Sequence, residues 1–498
     1  MTEIPLPTTI EGFIWPLAQL LCLLCAIFAS IGGLSFGYDQ GVVHCQCLVM
    51  HDFLLRWPVT PLQKGALTAV LELGALIGAL SSGVLADKYS RRHSIFVACV
   101  RSIDPPLIFN IGALFQCLAQ NLGHLFIGRA VGGVGVGALS MLSPLYISEI
   151  SPPEVRGSLV ALEQFSIVLG VVVGFWIGFF TRDMPNSLSW RIPLGLQIAP
   201  GVILALGSLL LLPASPRLLV LKGQYDEAES SLAKLRGRDN GLTKIELLEM
   251  RIEATLINHA SASEIQSKSG LARELASWGK LFRKKYRDRT MVAGINALLY
   301  YGPTLVRSIG VQGDKVALIV SGGIGIVQFI AVGPAVVWID RLGRKPLLRG
   351  TRCAIMASSH LIIAILVQQY QSDWPSHSIA AWIAVTGIYI FTFSYGVSFG
   401  PVGWVLPSEV TASNWANNFL IGLITPVIMD GLLRAMNRSG TFLTFSSACF
   451  LAYLWSTYWI PETAGVSLEE MDQVFESEMG REDEALRRQV EEELGLGS

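Results

Sequence analysis

A charged loop that occurs twice, each time between long apolar segments, is the feature that most constrains this chain. The sequences D-K-Y-S-R-R at 87–92 and D-R-L-G-R-K at 340–345 share an Asp followed, four residues later, by two basic residues. Their first residues lie 253 positions apart in a chain of 498 residues. A repeat of about half the length in an apolar chain indicates two tandem copies of one membrane bundle, as in many secondary transporters.

The composition indicates a membrane protein. Hydrophobic residues make up 51% of the chain and charged residues 15%, whereas soluble domains carry about 25% charged residues. The lipid bilayer is therefore an expected partner. The net charge of −1 gives no reason to expect a nucleic-acid partner.

Long apolar runs predict the number of membrane spans, because a helix needs about 20 apolar residues to cross the hydrocarbon core. Twelve candidates are found at 14–36, 65–86, 95–119, 122–146, 158–180, 190–212, 291–309, 315–339, 347–368, 379–406, 411–429 and 441–460. We expect an all-α membrane protein with four regions: a six-helix half at 1–212, a cytoplasmic linker with short amphipathic helices at 213–290, a second six-helix half at 291–460 and an acidic tail at 461–498.

The distribution of Lys and Arg predicts the orientation. Basic residues concentrate in the loop between spans two and three and in the loop between spans eight and nine. Basic loops stay in the cytoplasm, so both chain termini and the linker are expected on the cytoplasmic side. The plasma membrane is the expected location.

The repeated charged loops can form salt bridges next to helix ends. The planar guanidinium of Arg binds carboxylates at two points, so one such latch in each half could hold the halves together on the cytoplasmic side. The alternative is that the basic residues only fix the topology. That alternative leaves the repeated Asp unexplained, because acidic residues contribute little to orientation.

Two charged residues inside the spans are candidates for proton coupling. Asp39 lies at the outer end of span one and Arg129 lies in span four, and charges in these positions are costly and usually functional. An acid paired with an Arg can bind a proton and then release the Arg. The residues alone leave open whether the pair binds protons or is a permanent structural ion pair.

Several polar and aromatic residues in the spans suit a neutral substrate with many hydroxyl groups. Amides offer both donors and acceptors, and aromatic rings offer flat apolar faces. The candidates are Gln164, Asn296 and Asn414 among the amides and Tyr300, Tyr301 and Trp404 among the aromatics. For any single residue, hydrogen bonding between helices, the usual role of a buried amide in a membrane, is favoured by the residues alone. Because the sequence contains no nucleophile–base or metal-ligand constellation, we expect neither an enzyme nor a bound metal or cofactor.

Motifs along most of the chain identify a family. They are G-x-x-F-G-Y-D-x-G at 33–41, A-D-x-x-x-R-R at 86–92, G-R-x-x-G-G-x-G-x-G at 128–137, P-x-Y-x-S-E at 144–149, G-I-N-A-x-x-Y-Y at 294–301, D-R-x-G-R-K at 340–345, G-P-x-x-W at 400–404 and P-E-T-x-G at 461–465. In these segments the chain resembles the sugar porter family of the major facilitator superfamily, and is most similar to fungal monosaccharide permeases.

This resemblance implies twelve transmembrane helices in two pseudo-symmetric halves and a monomer that imports a hexose or pentose with a proton by alternating access. It places Gln164, Asn296, Trp404 and Asn414 on sugar-contacting positions. It also matches Asp39 and Arg129 to the proton-coupling pair of proton-coupled members. The residues expected at the cytoplasmic gate are Asp87, Arg91, Arg92, Glu149, Arg156, Arg217, Asp340, Arg344, Lys345, Glu409 and Glu462.

Departures from the family pattern keep other functions open. Ala214 and Ala464 replace the usual Glu and Lys of the motifs after spans six and twelve. Predicted spans seven and eleven are short, and charged residues and prolines at 101–106 interrupt span three. Exon-boundary errors in the coding sequence would explain these faults, and so would a transport-deficient paralogue. A sugar sensor and a carrier of a polyol, quinate or a sugar acid are further alternatives.

Overall fold

The computed structural model describes residues 17–44, 50–88, 90–100, 108–236, 243–252, 254–255, 303, 305–307, 309–311, 313–348, 351–405, 415, 418–419, 422–423 and 439–458. Every regular element in these ranges is helical. The first twelve α-helices are α1 (Leu17–Ala29), α2 (Ile31–Asp39), α3 (His51–Arg56), α4 (Pro61–Lys88), α5 (Arg91–Val100), α6 (Phe109–Cys117), α7 (Leu122–Ile150), α8 (Arg156–Thr181), α9 (Leu188–Leu196), α10 (Ile198–Leu210), α11 (Pro216–Leu221) and α12 (Tyr225–Arg236).

Six further α-helices whose bounds lie within the described residues follow the predicted linker. They are α13 (Asp314–Leu342), α14 (Arg344–Leu348), α15 (Thr351–Tyr370), α16 (Ser378–Val397), α17 (Phe399–Val405) and α18 (Ser439–Tyr458). We call α1–α10 the amino-terminal half and α13–α18 the carboxy-terminal half. The side of the molecule that carries Glu149 and Asp340, predicted to face the cytoplasm, is called the inner side.

Eight helical segments in the described part of the chain are long and apolar enough to cross a membrane. They are Leu20–Val42, Leu62–Gly83, Leu122–Ile150, Pro153–Thr181, Leu188–Leu210, Lys315–Leu342, Arg344–Tyr370 and Pro375–Val397. They match predicted spans one, two, four, five, six, eight, nine and ten. Large apolar side chains such as Ile203, Ile330 and Ile379 are exposed on their outer faces, as expected where a helix faces lipid.

The other four predicted spans are described in part. Predicted span twelve corresponds to α18. Predicted span three consists of α5 and α6, and the residues between them that interrupt the apolar pattern lie outside the described residues. The same holds for most of predicted spans seven and eleven.

Glycines allow two pairs of helices in the amino-terminal half to pack closely. A Cβ atom added at Gly37 of α2 would overlap the carbonyl of Ile167 in α8. A Cβ added at Gly137 of α7 would overlap the carbonyl of Ala75 in α4. Small residues at helix contacts are the usual means of association in membranes, because they let two backbones approach. The glycine motifs at 33–41 and 128–137 therefore build the helix contacts that position α2, α7 and α8.

The second charged loop turns at a glycine. Gly343 has φ of 83° and separates α13 from α14, and a glycine adopts this left-handed conformation at little steric cost. The turn brings Arg344 back towards Asp340, with their Nη2 and Oδ1 atoms 3.3 Å apart. The loop sequence thus forms a compact ion pair at the end of α13.

Candidate transport site

Two predicted sugar-contacting residues meet where the halves touch. The indole Nε1–H of Trp404 in α17 donates a hydrogen bond to Oε1 of Gln164 in α8 at 2.6 Å. Gln164 is 6% exposed and comes from the amino-terminal half, whereas Trp404 comes from the other half. The neighbouring residue Phe165 packs on Phe329 of α13 with ring centroids 4.6 Å apart. This part of α8 therefore contacts the carboxy-terminal half directly.

A second tryptophan also links the halves, and the sequence analysis did not identify it. Trp415 is fully buried and donates a hydrogen bond from Nε1 to the Ser140 hydroxyl of α7 at 2.9 Å. Its ring stands edge-on to Phe36 of α2, with centroids 4.9 Å apart. The one available signal was its position directly after Asn414. A large aromatic next to a predicted sugar-contacting amide is a candidate for lining the same site.

The Asp39–Arg129 pair is buried within the amino-terminal half. Arg129 is 0% exposed and Asp39 is 1% exposed. The Nη1 atom of Arg129 lies 3.6 Å from Oδ2 of Asp39, which is beyond hydrogen-bond range. Arg129 Nε donates to the backbone carbonyl of Leu67 at 2.7 Å, and neither Asp39 oxygen accepts a hydrogen bond from any residue that the structure describes. The two charges attract each other across 3.6 Å, but no described residue holds either Asp39 oxygen by a hydrogen bond.

On the inner side, Asp340 joins the two halves. Its Oδ2 accepts a hydrogen bond from the backbone N–H of Ser158 at 2.6 Å. Ser158 is in the first turn of α8, where unsatisfied N–H groups and the helix dipole favour a negative charge. A Cβ added at Gly157 would overlap Oδ1 of Asp340 and lie 2.8 Å from Nη2 of Arg344. The glycine therefore leaves the space that the carboxylate occupies.

An apolar cluster accompanies this contact. Ala161 of α8 packs with Ile339, Leu347, Leu348 and Val402 of the carboxy-terminal half, and all five are buried. Because both the polar contact and the apolar cluster join the halves on the inner side, the structure is closed there. We call this the inner-closed conformation.

The first charged loop forms a contact inside one half. Arg91 at the start of α5 binds Glu149 at the end of α7, with Nη2 2.9 Å from Oε1 and Nε 3.0 Å from the same oxygen. Both residues are at least 94% buried. This pair holds α5 against α7 in the amino-terminal half, whereas the contact of Asp340 crosses between halves. The side chain of Asp87 is outside those described.

The remaining predicted gate residues that the structure describes lie at the inner ends of helices. Arg92 lines a cavity of about 390 Å³ together with Ala214 and Lys234. Arg156 begins α8, and Arg217 and Lys345 lie in the first turns of α11 and α14. Ala214, which replaces an acidic residue of the family motif, thus lines the same cavity as Arg92.

The linker helix α12 binds the inner end of α7 through Arg236, which the sequence analysis missed. Arg236 Nη1 donates to the Ile150 carbonyl at 2.8 Å, and Nε donates to Glu246 at 3.0 Å. Burial alone would lower the pKa of Arg236, but the hydrogen bond and charge of Glu246 outweigh burial and raise it. Arg236 therefore stays charged and connects the linker to the amino-terminal half. Its signal in the sequence was a basic residue ending an amphipathic helix.

Six of the predicted site residues lie outside the described residues. They are Asn296, Tyr300, Tyr301, Asn414, Glu409 and Glu462. Their assignments stay predictions. The described part of the site thus contains one predicted sugar-binding residue from each half, the predicted proton-coupling pair and the inner gate.

Comparison with known proteins decides the family. A family model described as "Sugar (and other) transporter" matches residues 25–475, which is most of the chain. The chain belongs to this sugar transporter family. The glucose transporter GlcP of Staphylococcus epidermidis is 32% identical over 463 residues, covering 90% of this chain and 96% of that protein. The low-affinity glucose transporter HXT1 of Saccharomyces cerevisiae is 29% identical, covering 91% of this chain and 81% of HXT1.

The fold of this sugar transporter also matches a solved structure. The proton:xylose symporter XylE bound to 6-bromo-6-deoxy-D-glucose has a TM-score of 0.74 and 22% sequence identity, covering 92% of this chain and all of that chain. The prediction of an all-α major facilitator fold is confirmed. The family assignment is confirmed as well, and the relatives are transporters rather than enzymes.

Proposed function

We propose that this sugar transporter imports a monosaccharide, a hexose or pentose, together with a proton across the plasma membrane. It acts as a monomer with both termini in the cytoplasm. The observation that carries the proposal is the buried Asp39–Arg129 pair, in which a carboxylate with no hydrogen-bond partner among the described residues lies 3.6 Å from a cation. A purely structural ion pair of this kind would be expected to gain its stability from close, hydrogen-bonded geometry.

The first step of the mechanism is protonation of Asp39 from outside. Asp39 lies at the end of α2, in the outer part of that helix. Protonation removes the negative charge that attracts Arg129, and Arg129 keeps its hydrogen bond to the Leu67 carbonyl. The contact between α2 and α7 is thereby weakened, which prepares the amino-terminal half to move.

Sugar binding is coupled to the same movement through Gln164. In the structure, the amide oxygen of Gln164 is bound by Trp404. A sugar hydroxyl that takes this position replaces a direct contact between the halves with one through the sugar. Asn296, Tyr300, Tyr301 and Asn414 complete the proposed sugar site. The free energy of sugar binding can then favour a different orientation of the two halves, because the sugar binds the two orientations with different affinity.

The relatives support this choice of substrate and coupling. GlcP and HXT1 are named glucose transporters, and XylE is named a proton:xylose symporter. The chain is also 30% identical to a probable polyol transporter of Arabidopsis thaliana, so polyols belong in the test.

The test is uptake of labelled glucose, xylose and a polyol by yeast cells that lack their own hexose carriers, with and without a protonophore. The proposal expects uptake of glucose or xylose that the protonophore abolishes. Uptake that is insensitive to the protonophore would contradict proton coupling. If the protein reaches the cell surface but transports none of the three substrates, a sugar sensor or a transport-deficient paralogue becomes the better account.

A further inference from the structure

Glu163 is a buried carboxyl group that the mechanism above does not use. It is 0% exposed, and neither side-chain oxygen has a hydrogen-bond partner among the described residues. Its side chain covers Gly33 of α2, where an added Cβ would lie 2.8 Å from Oε1. A buried polar group without partners is rare in proteins and calls for an explanation.

Several charged residues on the helices packed against α8 have partners other than Glu163. Asp39 and Arg129 face each other, Glu149 binds Arg91, Asp340 binds Ser158 and Arg344, and Arg191 binds the Ala119 carbonyl. Within the described part of the chain, no cation pairs with Glu163. An ionised carboxylate in such a place costs several kcal/mol, so Glu163 carries a proton in the inner-closed conformation.

Glu163 lies between Asp39 and the inner side. Gly33, which it covers, is six residues before Asp39, or about 9 Å along the axis of α2. Glu163 is itself seven residues from the inner end of α8 at Arg156, or about 10 Å. A proton that moves from Asp39 to the cytoplasm therefore passes the level of Glu163.

A second buried polar group lies beside α2, and it too has no hydrogen-bond partner among the described residues. The hydroxyl of Ser143 in α7 is fully buried, has no hydrogen-bond partner among the described residues, and covers Gly32. Gly32 precedes Asp39 by seven residues, so the two lie on the same face of α2. Unsatisfied polar atoms are the positions at which water enters a protein interior. Ser143 and Glu163 thus mark a polar route along α2.

Contacts between the halves flank Glu163 along α8. Ser158, which binds Asp340, is five residues before it, and Gln164, which binds Trp404, directly follows it. Both contacts must break when the halves separate on the inner side. Water then reaches the part of α8 that contains Glu163.

We propose that Glu163 is a proton relay between Asp39 and the cytoplasm, an inference that rests on the proposed proton symport. When the inner side opens, the O–H bond of Glu163 breaks and its proton goes to cytoplasmic water. The proton on Asp39 then moves through water along Ser143 to the Glu163 carboxylate. Asp39 becomes ionised and attracts Arg129 again, and Glu163 is neutral before the halves close. One proton crosses the membrane in each cycle.

Glu163→Gln tests the relay because Gln matches the shape of the protonated acid but cannot release a proton. In liposomes, we expect proton-driven net uptake of labelled sugar to fall about tenfold or more, the scale of a lost positioned proton donor. Exchange of internal for external sugar, which requires no proton release, should stay at the wild-type rate. Glu163→Asp keeps an acid and should restore part of the net uptake. Glu154→Gln, at an exposed acid near the inner end of the same helix, is the matched control.

Two results would overturn the relay. One is wild-type net uptake in Glu163→Gln, and the other is equal loss of uptake and exchange in both the Gln and the Asp variants. A wild-type protein without proton-driven uptake would instead refute the proposed symport. Infrared spectra of the purified protein in lipid give an independent readout. The carbonyl absorption of protonated carboxylic acids should lose one component in Glu163→Gln relative to wild type, and an unchanged absorption in that variant would also contradict the inference.

Discussion

The Asp340 carboxylate of the carboxy-terminal half accepts a hydrogen bond from the backbone N–H of Ser158 in the amino-terminal half at 2.6 Å. The donor is at the start of α8, so the carboxylate also interacts with the positive end of the helix dipole. One acidic side chain of the repeated charged loop thereby closes the inner side. The carboxylate of Asp340 and the glycine beside the donor, Gly157, can be tested separately.

Asp340→Ala should shift the transporter towards an inner-open conformation. A hydrogen bond to a charged group contributes about 1.5–3 kcal/mol, so the inner-closed population should fall about tenfold or more relative to the open one. The measurement is the labelling rate of a Leu347→Cys reporter, since Leu347 is buried in the inner apolar cluster. Asp183→Ala, at an acid with a 71% exposed side chain near the outer end of α8, is the control. Unchanged labelling in Asp340→Ala would show that the contact does not close the gate.

Gly157→Val should weaken the same closure by occupying the space of the Asp340 carboxylate. Its Cβ would overlap Asp340 Oδ1 and approach Arg344 Nη2 at 2.8 Å. We expect faster labelling of the Leu347→Cys reporter and slower sugar turnover. Gly403→Val is the matched control, because among the described residues no atom beyond its chain neighbours and its own helix backbone lies within 4 Å of a Cβ at that position. If both substitutions change the labelling rate and the sugar turnover equally, the loss of a glycine, rather than the overlap with Asp340, would be the cause.

Asp39→Asn should separate proton coupling from sugar movement. The amide is close in shape to the protonated acid but cannot release a proton, so proton-driven accumulation should be lost while sugar exchange continues. Both are measured with labelled sugar in liposomes. Asp226→Asn, at an exposed acid of α12, should accumulate sugar as the wild type does. Accumulation that persists in Asp39→Asn would exclude this residue as the coupling acid.

Gln164 and Trp404 should contribute unequally to sugar affinity. Gln164→Leu removes the proposed sugar partner, and the loss of one neutral hydrogen bond of about 1 kcal/mol should raise KM about fivefold. Trp404→Phe keeps a six-membered aromatic ring and removes the pyrrole ring with the N–H that donates to Gln164. Its KM should therefore rise less than that of Gln164→Leu. The reverse order would indicate that the indole, rather than the amide, is the main sugar contact.

Hydropathy and motif patterns predicted most of the architecture. Uninterrupted apolar runs give spans such as Leu122–Ile150 and Lys315–Leu342, because the bilayer requires continuous apolar helices. The sequence also paired Asp39 with Arg129, and the structure brings them to 3.6 Å. Because charged residues are rare in membrane spans, few other ion pairs could be considered from the sequence. The proton-coupling role of the pair stays a prediction.

Contacts that depend on three-dimensional placement could not be read from the sequence. The partner of Asp340 is a backbone N–H of Ser158, and a backbone group has no side-chain pattern. The pairing of Arg91 with Glu149 within one half depends on how α5 lies against α7. Glu163 follows five largely apolar residues of α8, and only the folded structure shows that it packs on Gly33 with no hydrogen-bond partner among the described residues.

The central claim, proton-driven sugar import, is tested most directly in liposomes that contain the purified protein and an imposed pH gradient, alkaline inside. We expect labelled glucose or xylose to accumulate above its external concentration, and to equilibrate without accumulation in Asp39→Asn. Equilibration without accumulation in the wild-type protein, with the gradient shown to be intact, would contradict the account and indicate a facilitative sugar carrier.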